Sequence, residues 1–529
     1  MNEKIFFNGD ILTLEDKLYC NSILVKDGKI FKVGEKNDLL KFTSENTQMI
    51  DLKGKTLMPS FIDCHSHFFA YSQSLLQPSL ENASNFNEII NIISNFIKDN
   101  NIPNGKWVVA TNYDHNNLDE KINPTKEILD KAAPNNPVVI KHQSGHSGVL
   151  NSLGLKELNI TSDTKNPEGG IIYKKNNEPT GYLEENSFIN YVQKIPMPSF
   201  NELVKSVSKA QEIYKSFGIT TMQEGMIVPL MTDILNYIKK SNMLELDYVG
   251  YIDIKESDVL LKSFNGCIKN YVNRFKIGGY KIFLDGSPQS RTAYMLNPYI
   301  DAEDGYRGYP TYKDCELEKY IELAIKNNMQ LLAHCNGDAA SYQFINQYKI
   351  AKERCNLDND IRPVIIHAQL LPKDQLDDVK SLKMIPSFFL AHVYHWGDIH
   401  IKNFGFKRAS EISLANSCLK KNIRFTLHQD SPVINPNMLE TIWCAVNRVT
   451  KNKVLLGEDE RISPLDAIKA VTINGAYEYF EENTKGSIKE GKLADLIILD
   501  KNPLKVNPMD IKDIKILETI KEGNSIFKL

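Results

Sequence analysis

The stretch Leu203-Val204-Lys205-Ser206-Val207-Ser208-Lys209-Ala210-Gln211-Glu212-Ile213-Tyr214-Lys215-Ser216-Phe217-Gly218-Ile219-Thr220-Thr221-Met222-Gln223 reads as one helix followed by one strand. Leu203, Val207, Ala210, Ile213, Tyr214 and Phe217 recur at helical spacing. Gly218 suits a helix C-cap, and the apolar, β-branched run behind it suits a buried strand. The same unit repeats toward the C-terminus. Strands are expected at 248–251, 279–284, 331–333, 364–366, 385–389 and 424–427, with helical stretches such as 316–327 in the gaps. Short apolar strands alternating with helices imply a parallel sheet covered on both faces. With a strand at Phe61 the count is about eight, which favours a (β/α)₈ TIM-like barrel over an open sheet.

The chain ends have another character. Residues 4–7, 11–14, 22–26 and 29–33 alternate as strands, with Asp27-Gly28 as a tight hairpin turn, and a short strand covers 49–52. Residues 494–500, 514–520 and 525–527 read the same way. The expectation is a small β-sandwich domain built from both termini, 1–58 with 481–529, around a barrel of 59–68 and 201–480. Residues 69–200 form an inserted α/β segment. Phe86, Ile89, Ile90, Ile93, Phe96 and Ile97 mark a helix over 84–100, and 107–111 and 137–141 read as buried strands. Ser144-Gly145-His146-Ser147-Gly148 and the glycine-bearing run 168–184 read as loops.

Of the 529 residues, 42% are apolar and 24% charged, ordinary for a folded globular chain. A net charge of −3 with scattered lysines offers no basic surface for nucleic acid. No apolar run reaches membrane-spanning length and Met1-Asn2-Glu3-Lys4 opens no signal sequence, so a cytoplasmic protein is expected. The eight cysteines never fall in Cys-x-x-Cys spacing, which disfavours a zinc knuckle or a redox pair.

The residues that carry chemistry fall at strand ends. Asp63-Cys64-His65-Ser66-His67 places two imidazoles on one side of an extended strand. A lone His-x-His is commonly a hydrogen-bonded core pair; its company alters the reading. Lys281 lies on a middle strand, His334 follows Leu331-Leu332-Ala333, His367 follows Val364-Ile365-Ile366, and Asp430 closes Phe425-Thr426-Leu427-His428-Gln429. In a (β/α)₈ barrel such ends meet at one face. Imidazole and carboxylate suit zinc, and also manganese or iron, so one or two divalent ions are expected.

These motifs, with Gly169-Gly170-Ile171, Tyr280-Lys281-Ile282-Phe283-Leu284-Asp285-Gly286-Ser287, Gln429-Asp430-Ser431-Pro432 and Gly491-Lys492-Leu493-Ala494-Asp495-Leu496, resemble the amidohydrolase superfamily over nearly the whole chain. The nearest branch resembles N-substituted formamide deformylases and D-aminoacylase-like hydrolases. The resemblance implies that His65, His67 and Asp430 hold one ion and His334 and His367 a second. Lys281 would bridge them as a carboxylated lysine; a plain ammonium paired with Asp285 or Asp430 beside a single ion is the alternative, and Glu224 is a competing bridge. It further implies a metal-dependent hydrolase of carbon–nitrogen bonds other than peptide bonds, acting on a linear N-acyl or N-formyl amide. Asp430 would serve as general base and acid, and His367 or His146 would help polarise the carbonyl.

Two other functions compete. A heterocycle deaminase would resemble relatives that carry a glutamate shortly after the fifth-strand histidine, where this chain has Cys335-Asn336-Gly337-Asp338. A non-catalytic metal-binding barrel is the third reading. Substrate contacts are assigned to His146, Arg291 and Glu224, with His392, His395 and Trp396 lining the mouth and His428 packing beside the site without a catalytic role. By the same resemblance the segment 69–200 covers the mouth as a lid, and homodimers are common. The expected partner is a small-molecule amide.

Overall fold

In the computed structural model, which describes residues 3–143 and 146–529, the helix quoted above runs Phe200–Ser216. It ends where Gly218 turns to φ +77°, a conformation that costs glycine nothing, and the strand Ile219–Ile227 follows. By its internal contacts the chain divides into two units, Met1–Tyr71 with Ser208–Leu529, and Ser72–Val207.

The first unit contains two sheets. One has eight parallel strands hydrogen-bonded in chain order: Phe61–Ile62, Ile219–Ile227, Asp247–Asp253, Phe275–Phe283, Gln330–Cys335, Val364–His367, Ile385–Phe388 and Thr426–Leu427. It curls as TIM-barrel sheets do. Two backbone hydrogen bonds join the continuations of its outer strands, Asp430 N–H to His65 O at 3.1 Å and His67 N–H to Ser431 O at 2.7 Å. Inside the curl, Ile62, Val249, Tyr251, Leu332, Val364, Ile366 and Ile385 pack against Ala476 and Tyr479. Burying each large aliphatic chain there contributes roughly 1.5–3 kcal/mol, so the concave side is a core and the chemistry is confined to its rim.

The chain ends do combine. Leu496–Leu499 pairs antiparallel with Thr56–Pro59, which makes one hydrogen-bonded mixed sheet of eight strands from residues of both termini. Its ladder does not separate into the two sheets of the expected sandwich. Side chains alternate across it: Phe6, Ile23 and Val25 face one core, and Ile5 and Leu24 face another with Leu39. The Asp27-Gly28 turn pairs Lys26 with Lys29, and both turn residues have positive φ, +47° and +80°, as a two-residue hairpin of this hand requires.

The second unit is an α/β layer by itself. Its five-stranded sheet runs in the order Gly170–Lys175, Glu178–Glu185, Ser147–Leu150, Val138–His142, Val108–Tyr113. The expected helix is Phe86–Asp99, capped by Asn85 Oδ1 accepting from Glu88 N–H at 3.0 Å, with Ile89 and Ile93 buried. The run 168–184, expected as loops, is instead largely the hairpin Gly170–Lys175 with Glu178–Glu185. Asn176 and Asn177 take the two positive φ angles of its turn, while Ile172 and Leu183 anchor it in the core. Of the other glycine-rich motif, Ser144 and Gly145 lie outside the described residues. Among the described residues no helix is long and apolar enough to cross a membrane.

Candidate metal centre

The first sheet strand stops at Ile62, so His65 and His67 lie on its irregular continuation rather than in an extended strand. Asp63 shapes that continuation: its carboxylate accepts the His65 N–H at 3.3 Å and the Ser66 hydroxyl. The two rings come within 5.3 Å of each other. His65 is buried, and it fits because residue 225 is glycine; a Cβ there would stand 2.5 Å from its Cε1.

Each ring is oriented from behind. Gln223 Nε2 donates to Cys64 O at 2.6 Å and to Tyr479 Oη at 2.8 Å, so its Oε1, 2.6 Å from His65 Nδ1, must accept from that nitrogen. The lone pair of His65 therefore sits on Nε2. His67 turns Nδ1 toward Glu224 Oε1 at 3.5 Å and Nε2 toward Asp430. Glu224 is buried and also accepts from Phe69 N–H at 2.7 Å, which places it behind His67. Gln223→Leu removes the acceptor that sets the His65 tautomer. We expect metal affinity about 10–100-fold weaker, read by competition with a chromophoric chelator. Unchanged affinity would mean that packing alone orients the ring.

Asp430 faces both rings. Its Oδ1 is 3.6 Å from His65 Nε2 and 3.7 Å from His67 Nε2, and among the described residues no hydrogen-bond donor reaches it although it is buried. These three donor atoms lie within 4.8 Å of one another. A buried carboxylate oxygen without a donor, facing the lone-pair nitrogen of His65 and Nε2 of His67, fits a divalent cation. Burial raises the Asp430 carboxyl above its ordinary range, with His67 and Lys281 opposing.

The remaining strand-end residues surround this trio. Lys281 is completely buried with Nζ 3.0 Å from His65 Nε2, and burial lowers its ammonium to about 7. His367 points Nε2 at Asp430 Oδ2, 3.8 Å away, while its Nδ1 meets His428 Nε2 at 3.1 Å. His428 in turn meets Ser387 Oγ at 2.9 Å. Burial holds His65, His367 and His428 well below the usual imidazole range, so all three are neutral. His334 stacks edge-on to His367 at 4.6 Å, with Nδ1 3.2 Å from Asp285 Oδ1. Asp285 also accepts the N–H groups of Tyr294, Asn336 and Gly337, so it is a fixed anchor. Sequence reasoning missed Gln223 and Ser387, offered Asp285 only as a partner for Lys281, and took His428 only as packing beside the site. The available signal was a polar residue buried within an apolar strand, as for Gln223 and Ser387, or just after one, as for Asp285 and His428.

Two assigned substrate contacts are otherwise engaged. Arg291 Nε donates to Asn403 Oδ1 at 3.0 Å and Nη2 to Ile300 O at 2.9 Å. His146, in the Ser72–Val207 unit, is exposed with Nδ1 3.0 Å from Glu185 Oε2. His395 Nε2 meets Glu440 Oε1 at 2.7 Å, and His392 Nδ1 meets His400 Nε2 at 3.0 Å.

Imidazoles and a carboxylate gathered at the C-terminal ends of parallel strands define a metal-dependent hydrolase. The chain belongs to the amidohydrolase family, whose profile matches residues 48–527, and it is an enzyme that hydrolyses carbon–nitrogen bonds. It is 28% identical to Protein LONG AFTER FAR-RED 3 of Arabidopsis thaliana, over 98% of this chain and 91% of that one. It is 25% identical to the N-substituted formamide deformylase of Arthrobacter pascens, over 99% of this chain and 98% of that one. An uncharacterized metal-dependent hydrolase of Pyrococcus horikoshii aligns with TM-score 0.77 at 25% identity, covering 96% of this chain and 99% of that one.

Proposed function

We propose that this enzyme hydrolyses a linear amide, an N-acyl or N-formyl compound, to a carboxylic acid and an amine. The observation that carries the chemistry is Asp430, whose donor-free Oδ1 faces His65 and His67 while Oδ2 faces His367. The substrate class is supported by the full-length likeness to a relative named for formamide deformylation.

His65, His67 and Asp430 would hold one zinc or similar ion, with His334, His367 and a carboxylated Lys281 available to a second. A divalent ion bound there supplies Lewis acidity, making water acidic near neutral pH and drawing electrons from a carbonyl. Asp430 takes the proton from the attacking water and later returns it to the departing nitrogen, so one water is consumed for each C–N bond broken. His367, fixed through His428 and Ser387, faces the Asp430 carboxylate and would help stabilise the charge that gathers on the carbonyl oxygen. Lys281 is buried as required for a neutral amine, whose lone pair can add to carbon dioxide with loss of one proton.

The test is a panel assayed on zinc-loaded protein: N-formyl and N-acetyl amines, with adenosine and cytosine as deaminase probes. Amine release from one or more linear amides, abolished by chelator and restored by zinc, is expected. Ammonia from a heterocycle with no turnover of any linear amide would overturn the assignment.

A further inference from the structure

The Ser72–Val207 unit carries a second convergence of metal-type donors. Its strands Val108–Tyr113 and Val138–His142 run parallel, and Tyr113 is in register with His142. Both therefore end at one level. Asp114 and His115 turn off the first strand where His142 closes the second, and the Tyr113 ring meets the His142 ring edge-on at 5.1 Å. Parallel strands that end together deliver side chains to one spot by the same logic that builds the barrel rim.

The spacing there is specific. His115 Nδ1 is 3.4 Å from His142 Nε2, His142 Nε2 is 3.4 Å from Asp114 Oδ1, and His115 Nδ1 is 3.8 Å from Asp114 Oδ1. Tetrahedral bonds of about 2.0–2.2 Å place neighbouring ligand atoms about 3.3–3.6 Å apart. A direct imidazolium–carboxylate hydrogen bond closes instead to about 2.7–2.9 Å. Two edges of the triangle match one face of a coordination tetrahedron and the third, His115 to Asp114, is about 0.2 Å longer, while all three are wider than a short charged hydrogen bond.

The Asp114 carboxylate is held in place at both oxygens, Oδ1 by Asn116 and Oδ2 by Gln143. Asp114 Oδ1 accepts Asn116 N–H at 2.9 Å and Asn116 Nδ2 at 3.0 Å, and Oδ2 accepts Gln143 Nε2 at 2.5 Å. Outer hydrogen bonds of this kind fix the ligand atoms of a metal site. The side chain of His115 is 34% exposed, so solvent reaches the cluster.

We propose that Asp114, His115 and His142 bind a second-site divalent transition ion of the zinc class, independent of the barrel centre, with a remaining coordination position open to water. Two imidazoles and one carboxylate select such an ion over magnesium or calcium, which take oxygen ligands.

Zinc itself is the probe. The full chain is stripped with chelator, equilibrated with micromolar zinc and crystallised, and anomalous differences are collected on both sides of the zinc edge. We expect a peak bonded to Asp114 Oδ1, His115 Nδ1 and His142 Nε2. His142→Ala and His115→Ala should each lower zinc content by one ion per chain without changing the circular dichroism, and any barrel peak should remain. If a variant fails to fold, the wild-type map decides. No peak at this cluster, a peak only at millimolar zinc, or equal zinc content in the wild type and both folded variants overturns the site.

Discussion

Asp430→Asn should lower kcat by about 10²–10⁴-fold, the range set by losing a positioned general base, while KM and circular dichroism change little. Asparagine keeps the shape of the side chain and one carbonyl oxygen, so it can still face His65 and His67, but it cannot carry a proton between water and the leaving nitrogen. The fold should tolerate the change, because Oδ1 has no hydrogen-bond donor to lose and the residue's backbone N–H to His65 O is untouched. Steady-state kinetics on zinc-loaded protein, with zinc content measured in parallel, separates the cases. Activity within tenfold of wild type would remove Asp430 as base. Activity lost together with the metal would make it a ligand before anything else.

The second large effect is expected from Lys281→Ala. Lys281 Nζ lies 3.0 Å from His65 Nε2, and the lysine has no solvent exposure. If the amine is carboxylated it gains two anionic oxygens that can bridge ions, and the variant should fall from about two ions per chain to one or fewer. Reconstitution of the wild type should then take up more metal with bicarbonate than without it, whereas the variant should ignore bicarbonate. If Lys281 stays a plain amine, it competes with metal for the His65 lone pair. In that case metal content should be unchanged or higher in the variant, and bicarbonate should have no effect. Either result also decides whether His334 and His367 serve an ion or serve only to frame the site beside Asp430.

Much of the architecture was legible because its determinants are local. Helical spacing of Leu203 to Phe217 with Gly218 behind it, and Asp27-Gly28 between alternating runs, depend on residues within a few positions of one another. The same holds for a histidine or aspartate placed just beyond an apolar strand; once the strands run parallel, their ends must share one rim. The loops expected over 168–184 failed on a local point too. The glycines drew the reading, while Asn176-Asn177 made the turn.

What the tertiary structure alone decided is pairing across distance. His65 finds Gln223 158 residues away, His367 finds His428 61 residues away, and His334 finds Asp285 49 residues away. Local sequence states that each is polar and follows a strand; it does not state which nitrogen will be protonated, because that depends on which neighbour the sheet's curl brings behind the ring. The joining of Thr56–Pro59 to Leu496–Leu499 and the meeting of Asp114 with His142 are of the same kind. Residue type and spacing determined which side chains could do chemistry, and strand order and register determined which of them face one another, since a hydrogen bond or a coordination site acts only over a few ångströms.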